Sequence, residues 1–245
     1  MTTPPSALDT SFYFDERLRE VANTPDDMRQ AVKQLQAELS DSSVHDSSTH
    51  NSSADGNSVH DSSSHDNSAN GNSAEDLAHQ VRLYGLLGVY SRILGNLSQA
   101  QAALTRAIAL SQELGDERLK TLNQLRLANV YQWQHKYSLC DRLFVDLVSR
   151  CIGEPPLELF LDGVYFQMGQ SKFDQERYQE AQRYFERSLS IRTERGDRNL
   201  IQIGQYALNI TRKRLRQVAA AEKASASFKA PKRYSDRSPL STRTA

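Results

Sequence analysis

Between residues 75 and 217, apolar side chains return every three or four positions with polar residues between them. That is the period of consecutive amphipathic helices. Residues 169–191, GQSKFDQERYQEAQRYFERSLSI, hold the clearest unit. It reads as a helix ending near Gln175, a tight turn at 176–178, and a second helix. Two Gly-Asp pairs, Gly115-Asp116 and Gly196-Asp197, punctuate the pattern. In each pair the Gly is predicted to close a helix in the left-handed conformation and the Asp to cap the next. Gly153-Glu154-Pro155-Pro156 is the corresponding break between them. A last helix over 198–217 places Leu200, Ile203, Tyr206, Ala207 and Ile210 on its apolar side.

Upstream the pattern is sparser. Residues 11–22 are predicted as a short helix with Phe12, Phe14, Leu18 and Val21 as its apolar positions. Thr24-Pro25-Asp26-Asp27 is a helix start, with Thr24 as cap, Pro25 in the first turn and two acids against the helix dipole. That helix should run to about Leu39, with Met28, Val32, Leu35 and Leu39 on one stripe. The stripe needs a cover, which is the repeat domain, a partner or a second subunit. Residues 41–74 are Ser, Asp, Asn, His, Gly and Ala almost throughout, and VHDSSTHNSSADGNS (44–58) is repeated with changes at 59–73. A segment so poor in apolar side chains cannot offset its ordering entropy and is expected to be a disordered linker.

The helical region is internally repetitive. Tyr84, Leu87, Gly88, Ala100, Leu104 and Ala107 align with Gln124, Leu127, Ala128, Cys140, Phe144 and Leu147, then with Tyr165, Met168, Gly169, Ala181, Phe185 and Ser188. This register resembles the tetratricopeptide repeat family, whose pattern is W-x2-L-G-x2-Y…A-x3-F. Leu87-Gly88, Leu127-Ala128 and Met168-Gly169 stand at the Leu-Gly pair. Ala181 and Phe185 match the second-helix pair, and Cys140 and Phe144 match it more loosely. Only Tyr131 keeps the first-helix tyrosine, and the repeats, at about 40 residues, are longer than the usual 34. The resemblance implies an all-α, TPR-like α-solenoid of about 3.5 helical hairpins. The expected organisation is a helical segment at 1–40, a linker at 41–74, the repeat domain at 75–217 and a basic disordered tail at 218–245.

Formal net charge is zero, but it is unevenly spread: about −10 over residues 1–80, +2 over 81–211 and +8 over 212–245. The ends can attract each other or an acidic partner. Cys140 and Cys151 form no disulfide or metal pattern, and a reducing, cytoplasmic setting fits them. No apolar run is long enough to span a membrane. No phosphate loop, nucleophile elbow or Cys/His pair on an ordered segment supports catalysis, so no enzyme activity, cofactor or metal is expected. His45, His50, His60 and His65 are read as parts of a duplicated spacer, with metal binding the alternative. Arg212, Lys213, Arg214 and Arg216 suit a helix end in a solubilising tail better than a nucleic-acid site.

Function by resemblance is protein interaction, because the first helices of such a stack line its concave face. The residues implied there are Arg82, Val89 and Arg92, then Leu125, Asn129, Gln132 and Trp133, then Phe166, Gln170, Phe173 and Asp174. The expected partner is a protein or peptide segment held in that groove, and a nucleic-acid-associated factor acting through the basic C-terminal tail is the weakest alternative. A second possibility is self-inhibition, with the N-terminal helix occupying the groove until a partner or ligand displaces it.

Overall fold

The computed structural model describes residues 8–47 and 73–229. The N-terminal part holds β1 (Phe12–Phe14), β2 (Glu20–Ala22) and α1 (Pro25–Ser47). Then follow α2 (Ala74–Ile93), α3 (Leu97–Glu113), α4 (Glu117–Trp133), α5 (Tyr137–Gly153), a 3-10 turn (Pro155–Phe160), α6 (Leu161–Asp174), α7 (Tyr178–Arg195) and α8 (Arg198–Lys229). Helices α2 to α8 each pack on the next, giving three hairpins and a half-repeat in an all-α solenoid. Most of the duplicated linker (48–72) and the last residues (230–245) lie outside the described residues. The first part of the stretch read as linker continues α1, and α8 continues beyond 217.

Local chemistry sets the helix ends. Ser73 and Asp76 form a reciprocal capping box at α2. Asp116 accepts from the Leu119 amide (2.9 Å) and Asp197 from the Leu200 amide (3.0 Å), as the Gly-Asp pairs predict. The hairpin turns share one further device. Gly95, His135 and Glu176 occupy the same turn position, and all three are left-handed, at φ 84°, 57° and 59°. A non-Gly residue takes this conformation at some cost, and backbone hydrogen bonds from the Lys136 amide to the Tyr131 carbonyl (2.8 Å) and from the Arg177 amide to the Lys172 carbonyl (2.9 Å) hold the second and third turns in shape.

The repeat register is the packing register. Ala100, Cys140 and Ala181 are fully buried, and so are Leu104, Phe144 and Phe185 one turn later. A Cβ on Gly169 would lie 2.5 Å from the Phe185 ring, and one on Gly88 would lie 2.4 Å from Leu104. The missing side chain is what lets each large residue enter. Cys140 donates to Ser171 Oγ (3.7 Å), and burial pushes its thiol up to about 12. Burial also raises the Cys151 thiol. Thiolate is the reactive form. We therefore expect neither cysteine to react with a thiol reagent at pH 8 in the native protein, and both to react in denaturant.

The N-terminal part departs from expectation. Residues 11–22 form an antiparallel hairpin, with Phe12 opposite Ala22 and Phe14 opposite Glu20, and no helix. Three aromatics in succession favour strand. The Asp15 carboxylate accepts from the amides of Arg17 (2.8 Å) and Arg19 (2.9 Å), so it holds a turn in place of a helix. Thr24 gives its hydroxyl to Asp9 (3.0 Å), where a cap was expected. The α1 stripe packs on the repeat domain: Val32, Leu35 and Leu39 lie against Leu83, Leu87 and Ala103.

Candidate interaction groove

The first helices of the three hairpins, α2, α4 and α6, present one face, and the β1–β2 hairpin lies along it. Each contact follows from a residue type suited to it. Arg92 on α2 donates both Nη atoms to the Glu20 carboxylate, at 2.8 and 2.9 Å. The pair is buried, with 5% and 10% of the side chains exposed. Such a planar fork on a carboxylate is the strongest class of side-chain hydrogen bond. Arg19 Nη2 donates to Asp174 Oδ2 on α6 (3.2 Å), and Gln132 Nε2 on α4 donates to the same oxygen (2.9 Å). The Arg19 and Arg92 guanidiniums both lie over Trp133, at 5.1 and 5.0 Å from the ring centroid. Gln170 Nε2 donates to the Leu18 carbonyl (2.7 Å). Leu18 itself is buried in a cluster with Phe166, Phe173, Phe185, Ala207 and Leu208.

Seven of the eleven candidate residues therefore meet on one seat: Arg92, Gln132, Trp133, Phe166, Gln170, Phe173 and Asp174. Asn129 is buried in α4, and its Oδ1 accepts no hydrogen bond among the described residues. Val89 is half-buried in α2. Arg82 is exposed there and makes no hydrogen bond or ion pair among the described residues. Leu125 points into the interior, with Ala128, Cys140, Phe144 and Val164. Sequence reasoning missed Leu18, Arg19 and Glu20. The alternation of Phe12 and Phe14 around Tyr13, ahead of Asp15, was the available sign of a strand and turn.

It also missed Arg126. This partly buried guanidinium donates to Asn123 Oδ1 (3.1 Å) and meets no carboxylate within ion-pair distance among the described residues. Gly85 makes room for it, since a Cβ there would lie 2.5 Å from Nη1. Burial and the neighbouring charge of Arg92 lower its pKa. An unneutralised cation off the bulk solvent costs stability. Arg126→Met should therefore raise stability by about 1 kcal/mol, or about 2–4 °C in melting temperature at this chain length. A thermal melt of the variant beside the wild type measures it.

Among the described residues, no group of His, Cys, Asp and Glu is arranged to hold a metal. His50, His60 and His65 lie outside the described residues. No described helix is long and apolar enough to cross a membrane.

The family model of the tetratricopeptide repeat matches residues 81–114 and 163–194. The first and third hairpins are thus tetratricopeptide repeats by this match. The first match covers most of α2 and all of α3, and the second most of α6 and α7. The middle hairpin, α4–α5, lies between the matches. It carries Gln124 and Cys140 at two pattern positions, yet Ala128, Cys140 and Phe144 are as buried as their counterparts. A comparison with curated proteins gave no match. Tetratricopeptide repeats are in general protein-interaction modules without catalytic activity.

Proposed function

We propose that this protein is a non-enzymatic interaction adaptor that grips a partner segment along the face of α2, α4 and α6. Its own N-terminal hairpin holds that face until the partner displaces it. The observation that carries the reading is the seating of Leu18, Arg19 and Glu20 on residues from three successive repeats. The occupant is the hairpin, while α1 covers the first repeat, so the segment able to leave is residues 8–23. Two buried free cysteines support a reducing, cytoplasmic setting. No specific observation favours nucleic acid: Arg212 of the basic run pairs with Glu186 (3.3 Å) on the neighbouring helix.

Affinity capture from lysate tests this with three intact chains: wild type, Leu18→Asp, and Leu18→Asp with Trp133→Ala. A partner enriched on the Leu18→Asp chain and lost from the double variant supports a groove closed by the hairpin. Equal capture by all three places the interface on another surface. Equal capture by the first two with loss from the third describes an open adaptor.

A further inference from the structure

The seated hairpin shows which chemistry the groove accepts. Its three central residues occupy three adjoining subsites, the second and third of which share the Trp133 ring. Leu18 fills an apolar pocket of Phe166, Phe173, Ala207 and Leu208. Arg19 lies over the Trp133 ring and reaches the Asp174 carboxylate, which Gln132 holds in place. Glu20 takes the fork of Arg92. Each subsite selects by a different physical rule: buried apolar area, a flat cation on an aromatic face beside a carboxylate, and a bidentate anion.

We propose that the groove recognises a peptide segment carrying an apolar, a cationic and an acidic residue in succession, and that Leu18-Arg19-Glu20 is the resident copy of that signal. This rests on the reading that the groove is the partner face, and it adds the chemistry of the partner. The second position favours arginine over lysine, because a planar guanidinium stacks on Trp133 and still donates to Asp174. The third favours an acid, because the buried Arg92 guanidinium presents both Nη atoms to one carboxylate. The resident copy is built to be displaced. Leu18 sits at φ 59°, a conformation that costs any residue other than glycine. A foreign segment that reaches the same subsites without that strain competes successfully.

The test uses the full-length Leu18→Asp chain, whose hairpin no longer fits the apolar pocket, and a synthetic peptide of residues 8–24. Trp133 is the only tryptophan, so its emission reports occupancy without a label. The wild-type peptide should bind saturably and shift the emission. Peptides with Leu18→Ala, Arg19→Ala or Glu20→Ala should each bind at least tenfold more weakly, and Arg19→Lys should fall between Arg19→Ala and wild type. Alanine peptides within twofold of wild type overturn the three-residue signal and leave the groove a peptide site. No binding by any peptide, on a chain whose Trp133 emission already differs from wild type, also overturns the signal. The groove reading itself is then judged by whether Trp133→Ala abolishes capture. The full-length Leu18→Ala chain is a second acceptor with a milder change, so a folding defect in the first cannot decide the result.

Discussion

Glu20→Ala frees the N-terminal hairpin and leaves the repeat stack folded. Glu20 and Arg92 form the most buried link between the hairpin and the first repeat. Removing one partner of a buried ion pair costs about 3–5 kcal/mol, because the other charge stays behind without compensation. Here the loss has a local outlet. The hairpin is joined covalently to the repeat stack only by way of α1, so it can undock without unfolding the repeats, and undocking returns Arg92 to water. The cost therefore falls on docking and spares global stability. Hydrogen exchange reads this directly. Protection of the Asp15 and Asn23 amides, which pair with Arg19 and Ser11 across the hairpin, should drop by about two to three orders of magnitude. Trp133 emission should change as the Arg19 cation leaves. The melting temperature of the repeats should move far less. A large fall in melting temperature with hairpin protection unchanged would make the pair a support of the stack and no latch.

Phe185→Ala has the largest effect on global stability, about 3–5 kcal/mol and on the order of 10 °C in melting temperature. The ring is fully buried, faces Gly169 where no side chain intervenes, and lies 5.4 Å from Phe166. Phe166 in turn meets Phe14 of the hairpin at 5.9 Å. The cavity thus opens beneath the groove floor, and the Leu18 pocket loosens with it. Gly169→Ala attacks the same contact from the other side and should cost about 1–3 kcal/mol by overpacking. The two sites touch, so they should not be additive. Gly169→Ala in a Phe185→Leu background should cost measurably less than Gly169→Ala in the wild-type chain. Thermal or denaturant unfolding of the four chains completes the cycle.

These contacts explain which parts of the protein were legible in its sequence. Ala100, Cys140, Ala181 and the large residues four positions later declare themselves because hairpin packing is local and depends on residue size at fixed spacing. The face of α4 was only partly legible for a geometric reason. Steps of four residues drift by about 40° around a helix, so Leu125 has turned into the interior by the time Trp133 faces the groove. The hairpin was misread because Leu18 and Val21 are three apart, which looks helical, while the contacts that place them come from remote helices. Arg19 and Asp174 are separated by 155 residues and Glu20 and Arg92 by 72. No local period encodes such pairs. Arg126 was missed for the same reason, since a charge's lack of a partner is a property of the assembled face.

Those separations also fix a sequence of events during synthesis. The hairpin leaves the ribosome ahead of the repeats, yet its seat is spread over the chain. The Leu18 carbonyl meets Gln170 across 152 residues, and the Asp15 carbonyl meets Tyr206 across 191. At typical elongation rates of about 5–20 residues per second, the hairpin waits roughly 10–30 s for α6 to appear. The repeats, held by neighbour contacts, fold in order as they emerge. Seating thus waits for the last helices, and until they emerge the face of α2 and α4 stands without its hairpin.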